Sequence, residues 1–212
     1  MSILNRTKLP LNVSYRLAQA YAFIIAIILF ILSYIFGRDG LFLYFNANLG
    51  SFADTFFSYF TYLADGWILI PYLILVVGIF KKDVPFIIIN FITSTLLTQI
   101  PKQLIWPSIN RPIASGIDIS KIHVVTGVDV HSFNSFPSGH TATAFSLFLI
   151  TVYLFPNKKV LLAGGLYAII CGYSRIYLGQ HFPLDIAGGI IAALLSVALS
   201  IQIRKKLFKK PF

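Results

Sequence analysis

Two histidines lie where loop-like sequence meets apolar sequence, and each has neighbours that could assist it in chemistry. His140 ends the stretch FNSFPSGH, and His181 precedes Asp185 by four residues in HFPLD. At that spacing, at the start of a helix, a carboxylate can reach the imidazole, fix its tautomer and stabilise the cation that develops. His181 is therefore a candidate nucleophile with Asp185 as its partner, and Pro183 is suited to the first turn of the helix.

Three cations and the second histidine suggest which electrophile is attacked. Arg111 and Arg175 offer planar, permanently charged forks for phosphate oxygens, and Lys102 adds a compact cation. Together they could neutralise a phosphoryl group without a metal. Imidazole titrates near neutrality, so His140 could protonate the leaving oxygen and later accept a proton from water.

The segment before the apolar run could bind the same anion. If Pro137 to His140 opens a helix, the backbone N–H groups of Ser138 and Gly139 face outward at the positive end of the helix dipole. Gly139 would allow close approach, and the Ser138 hydroxyl could donate. The predicted catalytic residues are thus His181, His140 and Asp185. The predicted phosphate-binding residues are Lys102, Arg111, Ser138, Gly139 and Arg175.

Composition identifies the elements that must position these residues. With 57% hydrophobic residues, 11% charged residues and a mean hydropathy of +0.81 over 212 residues, the chain has too little polar surface for a soluble globule. We predict an all-α bundle of six transmembrane helices in one domain, residues 1–212. The apolar runs lie near 17–36, 67–80, 84–101, 139–155, 160–178 and 184–203.

The basic residues favour one orientation of this bundle. Of seventeen, twelve fall in alternate connections, as the positive-inside rule requires of cytoplasmic ones. These are Arg6, Lys8, Arg16, Lys81, Lys82, Lys158, Lys159, Arg204, Lys205, Lys206, Lys209 and Lys210. Both termini are therefore predicted to be cytoplasmic, and the basic C-terminal end is interpreted as an orientation signal and not as a nucleic-acid-binding tail.

The opposite face receives the other basic residues: Arg38, Lys102, Arg111, Lys121 and Arg175. Arg38 and Lys121 match no motif and are predicted to be surface residues. The other three share the non-cytoplasmic face with His140, His181 and Asp185, because the third and fifth spans end there and the fourth and sixth begin there. Ionisable groups at span ends are costly, so this convergence predicts a functional site.

Residues 51–65 show an amphipathic pattern that predicts a helix at the outer interface. An ordinary loop helix packed on the bundle and a segment with a role in lipid entry fit the pattern equally well. Ser51 and Asp54 resemble a capping box. The aromatic residues near span ends are interpreted as interfacial anchors: Trp67, Trp106, Tyr62, Tyr173 and Tyr177.

The long connection at 102–137 is predicted to be extracytoplasmic, and connections of this length are usually functional or disordered. Its histidines, His123 and His131, are interpreted as polar surface residues, because no third ligand stands at a spacing typical of metal sites. Cys171 is the only cysteine, which excludes a disulfide framework and a cysteine metal cluster. No cofactor is predicted.

Two motifs carry a resemblance to a known family. FPSGH at 136–140 and SRIYLGQHFPLD at 174–185 resemble the second and third signatures of the type 2 phosphatidic acid phosphatase superfamily. The first signature of that family is usually K-x6-R-P, whereas eight residues separate Lys102 from Arg111-Pro112 here. The resemblance implies metal-independent hydrolysis through a phosphohistidine, with the roles given above for His181, His140 and Asp185. It also implies a plasma-membrane enzyme whose site faces the periplasm or the exterior.

Several substrates remain open under this resemblance: undecaprenyl diphosphate, phosphatidylglycerol phosphate, phosphatidic acid and the phosphates of lipid A. Prior expectation alone slightly favours isoprenyl diphosphate. A phosphotransferase is an alternative, and a haloperoxidase is disfavoured because a membrane chain without an evident halide site does not fit that activity. A transporter is also disfavoured, because no internal repeat is visible and the ionisable residues lie near one face. The expected partners are a lipid phosphate and the bilayer, with no nucleic acid.

Overall fold

The computed structural model describes residues 11–208, and this part of the chain forms eight α-helices without a β-strand. The predicted all-α class is therefore confirmed. Four basic residues used to predict the orientation, Arg6, Lys8, Lys209 and Lys210, lie outside the described residues. The helices are α1 Leu11–Phe36, α2 Arg38–Phe45, α3 Ser51–Phe60, α4 Leu69–Ile79, α5 Val84–Ile100, α6 Gly139–Leu154, α7 Lys158–Tyr177 and α8 Pro183–Phe208.

Four helical stretches in the described part are long and apolar enough to cross a membrane: Val13–Phe36, Lys81–Ile105, Lys158–Tyr177 and Pro183–Lys206. A fifth candidate is the pair Ser51–Ala64 and Gly66–Ile79, which is bent by 59°. The remaining predicted run is α6, whose 16 residues measure only about 24 Å. It is shorter than the roughly 20 residues that usually cross the hydrocarbon.

The bend between α3 and α4 has a local cause. Asp65 has an extended backbone, with φ −72° and ψ 154°, and cannot continue the helix. Its carboxylate instead accepts a hydrogen bond from the Gly66 N–H at 2.6 Å, so it caps the turn that leads into α4. The chain therefore changes direction at the level of the cavity described below, which both Asp65 and Gly66 line.

Helix α6 lies at the centre of the bundle, in contact with α1, α5, α7 and α8. A helix that is apolar on all sides is usually buried, and ten of its sixteen residues are buried here. Helix α1 has a buried stripe of small residues. Ala18, Ala22 and Ala26 are each fully buried and four residues apart, as in closely packed membrane helices.

Gly189 of α8 packs closely against the backbone of the FPSGH segment. A Cβ at this position would lie 2.5 Å from the Ser138 carbonyl oxygen and 2.9 Å from Cβ of Thr141. Neither of these atoms is the end of a flexible side chain. Packing of α8 against the start of α6 therefore requires glycine here.

Gly189→Ala is expected to lower the melting temperature, because the backbone would have to shift at a cost of about 1–3 kcal/mol. Gly78→Ala is the matched control, since a Cβ at that helical position meets nothing within 4 Å. Alanine should be neutral or slightly stabilising there, because it is the better helix former. Thermal unfolding of both purified variants in the same detergent checks this, and equal melting temperatures would contradict the packing argument.

Helix α3 is amphipathic as predicted, but its predicted capping box is wrong. The N-cap residue is Gly50, which makes no side-chain cap. Asp54 instead accepts hydrogen bonds from the Tyr177 hydroxyl at 2.5 Å and lies 2.8 Å from Nε2 of His123. The polar side of α3 thus faces the protein, whereas Phe52 on the other side is 83% exposed.

The same contacts overturn one predicted interfacial anchor. Tyr177 is fully buried, and its ring packs against Phe57 at 4.7 Å between centroids. The prediction relied on the position of Tyr177 near a span end. It could not take into account that Asp54 and Phe57 of another helix cover the Tyr177 side chain. Tyr62, Trp67 and Trp106 are exposed, as expected of anchors.

Candidate active site

A cavity of about 340 Å³ lies where α5 ends, α6 begins and the chain bends into α4. Six of the eight predicted site residues line it: Lys102, Arg111, Gly139, His140, Arg175 and His181. The other two, Ser138 and Asp185, are buried and touch lining residues or their neighbours. The structure therefore brings together residues that are far apart in the sequence. Lys102 and Asp185, the two ends of this set, are separated by 83 positions.

His181 and Asp185 form the pair that their spacing predicts. Nδ1 of His181 lies 3.3 Å from Oδ2 of Asp185, and both side chains are almost completely buried. Since Nδ1 faces the carboxylate, Nε2 is the ring nitrogen left for the cavity. A nucleophilic imidazole needs this arrangement, with a proton on Nδ1 and a lone pair on Nε2.

Asp185 is itself held by two further donors on the same oxygen. Oδ2 accepts hydrogen bonds from the Phe182 N–H at 2.9 Å and from the Ser135 hydroxyl at 2.5 Å. These contacts fix the carboxylate on the edge of the imidazole. Ser135 lies just before the FPSGH motif and did not stand out in the sequence, because a serine in a loop is ordinary.

The surroundings keep the His181 ring neutral. Burial lowers the pKa of His181 well below its ordinary value, and the nearby charges of Arg111, Lys102 and Arg175 lower this pKa further. A proton is thus excluded from Nε2 at neutral pH. The ring is available as a base or nucleophile under conditions in which an exposed histidine would be partly protonated.

Arg111 is oriented by the backbone of the long connection. Its Nε donates to the Phe133 carbonyl at 2.9 Å, and its Nη1 donates to Oε1 of Gln180 at 3.0 Å. Burial lowers the pKa of Arg111 and the Asp185 carboxylate opposes this effect, yet an arginine remains charged under any relevant condition. Gln180 lies directly before His181, so the Gln180 side chain links the Arg111 guanidinium to the loop that carries His181.

Arg175 presents a buried donor without a partner. Its Nη1 donates to Oγ1 of Thr61 at 2.6 Å, whereas its Nε makes no hydrogen bond within the described structure. A buried guanidinium nitrogen is costly unless it is paired. Because Arg175 lines the cavity, its guanidinium group can pair with an anion bound there. No sequence signal pointed to Thr61, which lies in the segment interpreted as an interfacial helix.

The wide spacing between Lys102 and Arg111 is compatible with a shared site. The chain after α5 does not continue as a regular helix but forms a π turn, Pro101–Ile105, in which the Trp106 N–H donates to the Pro101 carbonyl. Such turns hold more residues than an α-helical turn. Lys102 is 7% exposed and lines the same cavity as Arg111.

The predicted anion seat at Ser138 is wrong in one respect. The Ser138 N–H does not face the cavity but donates to the Asp185 carbonyl at 3.0 Å. The Ser138 hydroxyl oxygen accepts from Thr141, so this side chain caps α6. Gly139 does line the cavity, and a Cβ there would meet nothing within 4 Å. Glycine therefore leaves open space at the positive end of α6.

His140 stands between two openings. Besides the cavity, it lines a cleft of about 680 Å³ between α3 and residues 125–131, together with His131 and Arg175. The polar side of α3 borders this cleft through Asp54 and Ser58. His131, interpreted from the sequence as a surface residue, is exposed and lines both spaces.

Metal-binding groups do not cluster in the part of the chain that the structure describes. Within residues 11–208 there is no set of three or more His, Cys, Asp or Glu side chains that could hold an ion. The positive charge around the cavity comes from side chains. The arrangement can therefore bind a tetrahedral anion between three cations and present a neutral imidazole to it.

Comparison with known proteins gives one family. The model of the PAP2 superfamily matches residues 68–209. Phosphatidylglycerophosphatase B of Bacillus subtilis is 31% identical over 150 residues, 64% of this chain and 67% of that protein. Undecaprenyl-diphosphatase BcrC of Bacillus subtilis is 34% identical over 61 residues, 29% of this chain, so this chain spans only 31% of that relative's length.

A solved structure agrees with the fold. The crystal structure of Aquifex aeolicus LpxE superposes with a TM-score of 0.65 at 30% identity. The superposition covers 76% of this chain and 93% of that one. The resemblance seen in the two sequence motifs thus extends to most of the bundle.

Proposed function

The chain belongs to the PAP2 superfamily, and on that premise we propose that it hydrolyses a phosphate monoester or diphosphate on a membrane lipid without a metal ion. The observation that carries this proposal is the His181–Asp185 pair facing a cavity with three cations. The names of its relatives, which include lipid phosphatases and undecaprenyl-diphosphatases, support the same class of substrate. The 212 residues act as one integral-membrane domain.

Binding of the phosphate neutralises the cations. The unpartnered Nε of Arg175 donates to one phosphate oxygen, and Lys102 and Arg111 contribute charge from the sides. The space at Gly139 admits the anion to the start of α6, where the helix dipole favours it. The Ser138 hydroxyl, positioned by Thr141, remains a candidate donor in this proposal.

The first chemical step transfers the phosphoryl group to the enzyme. Nε2 of His181 forms a bond to phosphorus while the bond from phosphorus to the leaving oxygen breaks, and His140 gives its proton to that oxygen. Asp185 stabilises the positive charge that develops on the His181 ring. The arriving dianion favours the protonated form of His140, because an opposite charge nearby stabilises a cation.

The second step regenerates the enzyme. His140, now neutral, accepts a proton from a water molecule as the water oxygen bonds to phosphorus and the bond from phosphorus to Nε2 breaks. Inorganic phosphate is the product. The cleft on the other side of His140 is lined by polar groups and supplies a route for water and phosphate.

The orientation in the membrane follows from the basic residues. We propose six spans, with α6 as a short buried one and α4 as another short one, and with both termini in the cytoplasm. The site then faces the periplasm or exterior of a plasma membrane. In this arrangement α3 lies at the outer interface, with Phe52 and Phe56 toward lipid.

Phosphate release by the purified protein tests the proposal. Incubation with phosphatidic acid, phosphatidylglycerol phosphate, an isoprenyl diphosphate and a lipid A phosphate should release inorganic phosphate from at least one of them. Activity should be unchanged in excess chelator, because side chains supply the positive charge. Loss of activity that an added divalent metal restores would contradict metal independence. Formation of a phosphorylated acceptor in place of inorganic phosphate would instead indicate a phosphotransferase.

A further inference from the structure

The cavity continues past the phosphate-binding end, along a polar face of α5. Asn90, Ser94 and Thr98 are each four residues apart, all are buried, and all line the cavity on the same side as Lys102. From Lys102 to Asn90 the helical rise is about 18 Å. Polar lining therefore extends well into the membrane-spanning part of the bundle.

Asn90 is held in place at the far end of this face. Its Nδ2 donates to the Ser196 hydroxyl of α8 at 2.7 Å, and the Ser196 hydroxyl donates to the Asn90 carbonyl at 3.0 Å. The amide orientation is thus fixed, and its side-chain oxygen is the group left to accept a hydrogen bond from an occupant of the cavity.

Helix α6 contributes a hydroxyl that makes no hydrogen bond. Ser146 lines the cavity, is 4% exposed, and its Oγ has no partner within the described structure. Buried polar groups are almost always satisfied, and an unsatisfied one costs about 1–3 kcal/mol. Ser146 lies seven residues after Gly139, about 10 Å further along α6 from the phosphate-binding end.

Apolar side chains line the same space. They are Ile68, Leu69, Ile87, Phe91, Leu147 and Ile150. The helices α5 and α6 each contribute polar and apolar residues, so the lining is mixed. A pure hydrocarbon would leave the hydroxyls and the amide of this lining without partners.

We propose that this part of the cavity binds the leaving group of the substrate, and that the leaving group is an acylated polyol or amino sugar and not a hydrocarbon alcohol. The inference rests on the proposed function, because phosphate bound by Lys102 and Arg175 directs the leaving oxygen toward this space. Hydroxyl, ester or amide groups next to the phosphate pair with Ser146, Ser94 and Asn90. The acyl chains lie against the apolar side chains of the same cavity.

Two monophosphates that differ in the leaving group test this inference: dioctanoylglycerol phosphate, which carries ester groups, and farnesyl phosphate, which is hydrocarbon beyond its phosphate. The wild-type protein should have the higher kcat/KM on the diacylglycerol phosphate. Ser146→Ala should lower that kcat/KM about three- to tenfold, the value of one buried hydrogen bond, and leave farnesyl phosphate turnover within about twofold. The thermal stability of this variant should be unchanged or higher, because an unpaired hydroxyl is removed.

Ser33→Ala is the matched control. Ser33 of α1 is also buried, and its hydroxyl has no partner among residues 11–208, but it does not line the cavity, so both activities should stay at the wild-type level. A wild-type preference for farnesyl phosphate, an equal loss on both substrates in Ser146→Ala, or no loss on either would overturn the inference. Failure of the wild-type protein to release phosphate from any lipid would overturn the proposed function itself.

Discussion

Replacing His181 with alanine should reduce phosphate release at least about a thousandfold, because the imidazole that pairs with Asp185 and lines the cavity is removed. The fold should survive. Asp185 keeps its hydrogen bonds from the Phe182 N–H and the Ser135 hydroxyl, so no bare carboxylate is left buried. Steady-state kinetics and thermal unfolding of the same preparation separate the two effects.

A covalent trap makes the His181 assignment sharper. With substrate labelled on phosphorus and an alkaline quench, which preserves a phosphorus–nitrogen bond, label should remain on the wild-type protein and be absent from His181→Ala. His123→Ala is the matched histidine control, because that ring contacts Asp54 and Tyr177 and does not line the cavity. A His181→Ala protein that keeps a tenth or more of the wild-type rate would refute the nucleophile assignment.

Asp185→Asn should lower kcat about a hundredfold to ten-thousandfold, as neutral replacements of such carboxylates do. All three donors meet at one oxygen, Oδ2, and an amide oxygen could accept from the same groups. The substitution therefore keeps most of the geometry and removes the charge that stabilises the imidazolium. Turnover at saturating substrate measures the effect.

Ser135→Ala gives the comparison for this second result. It removes one donor to Oδ2 and leaves the carboxylate charge and the His181 contact, so kcat should fall only about three- to tenfold. The charge argument would be untenable if Asp185→Asn were no more impaired than Ser135→Ala. The charge argument would be supported if Asp185→Asn had an unchanged KM and a lowered kcat.

The two ends of the cavity impose different requirements on a substrate. In the proposed function, the end near His181 neutralises a phosphoryl group, which many lipids carry. In the further inference, the far end, with Ser146 and Asn90, distinguishes what the phosphate is attached to. The slight sequence-based expectation of an isoprenyl substrate rested on prior expectation alone, whereas the polar lining of the cavity favours a leaving group with oxygen or nitrogen atoms.

Local patterns predicted much of this protein. The hydropathy runs matched the positions of the long helices, and the motifs around His140 and His181 identified the family that the comparison confirmed. The His181–Asp185 contact was also predictable, because a four-residue spacing at a helix start fixes the geometry without help from distant residues.

Contacts between distant segments were not predictable in this way. Asp54 was expected to cap its own helix but binds Tyr177, 123 residues away. Thr61 supports Arg175 from a segment that carried no signal of a site. The Ser138 N–H, expected to face the anion, is taken by the Asp185 carbonyl because α8 packs closely there through Gly189.

By itself, the sequence determined the helical membrane class, the family and the residues able to do chemistry, because residue type, hydropathy and short spacings are properties of neighbouring positions. Only the tertiary structure decided which polar atoms remain free to meet a substrate. The free Nε of Arg175 and the free hydroxyl of Ser146 result from what distant helices already occupy around them. The residue type determines which hydrogen bonds a side chain can make, but the packing of distant helices determines which of them are made within the protein.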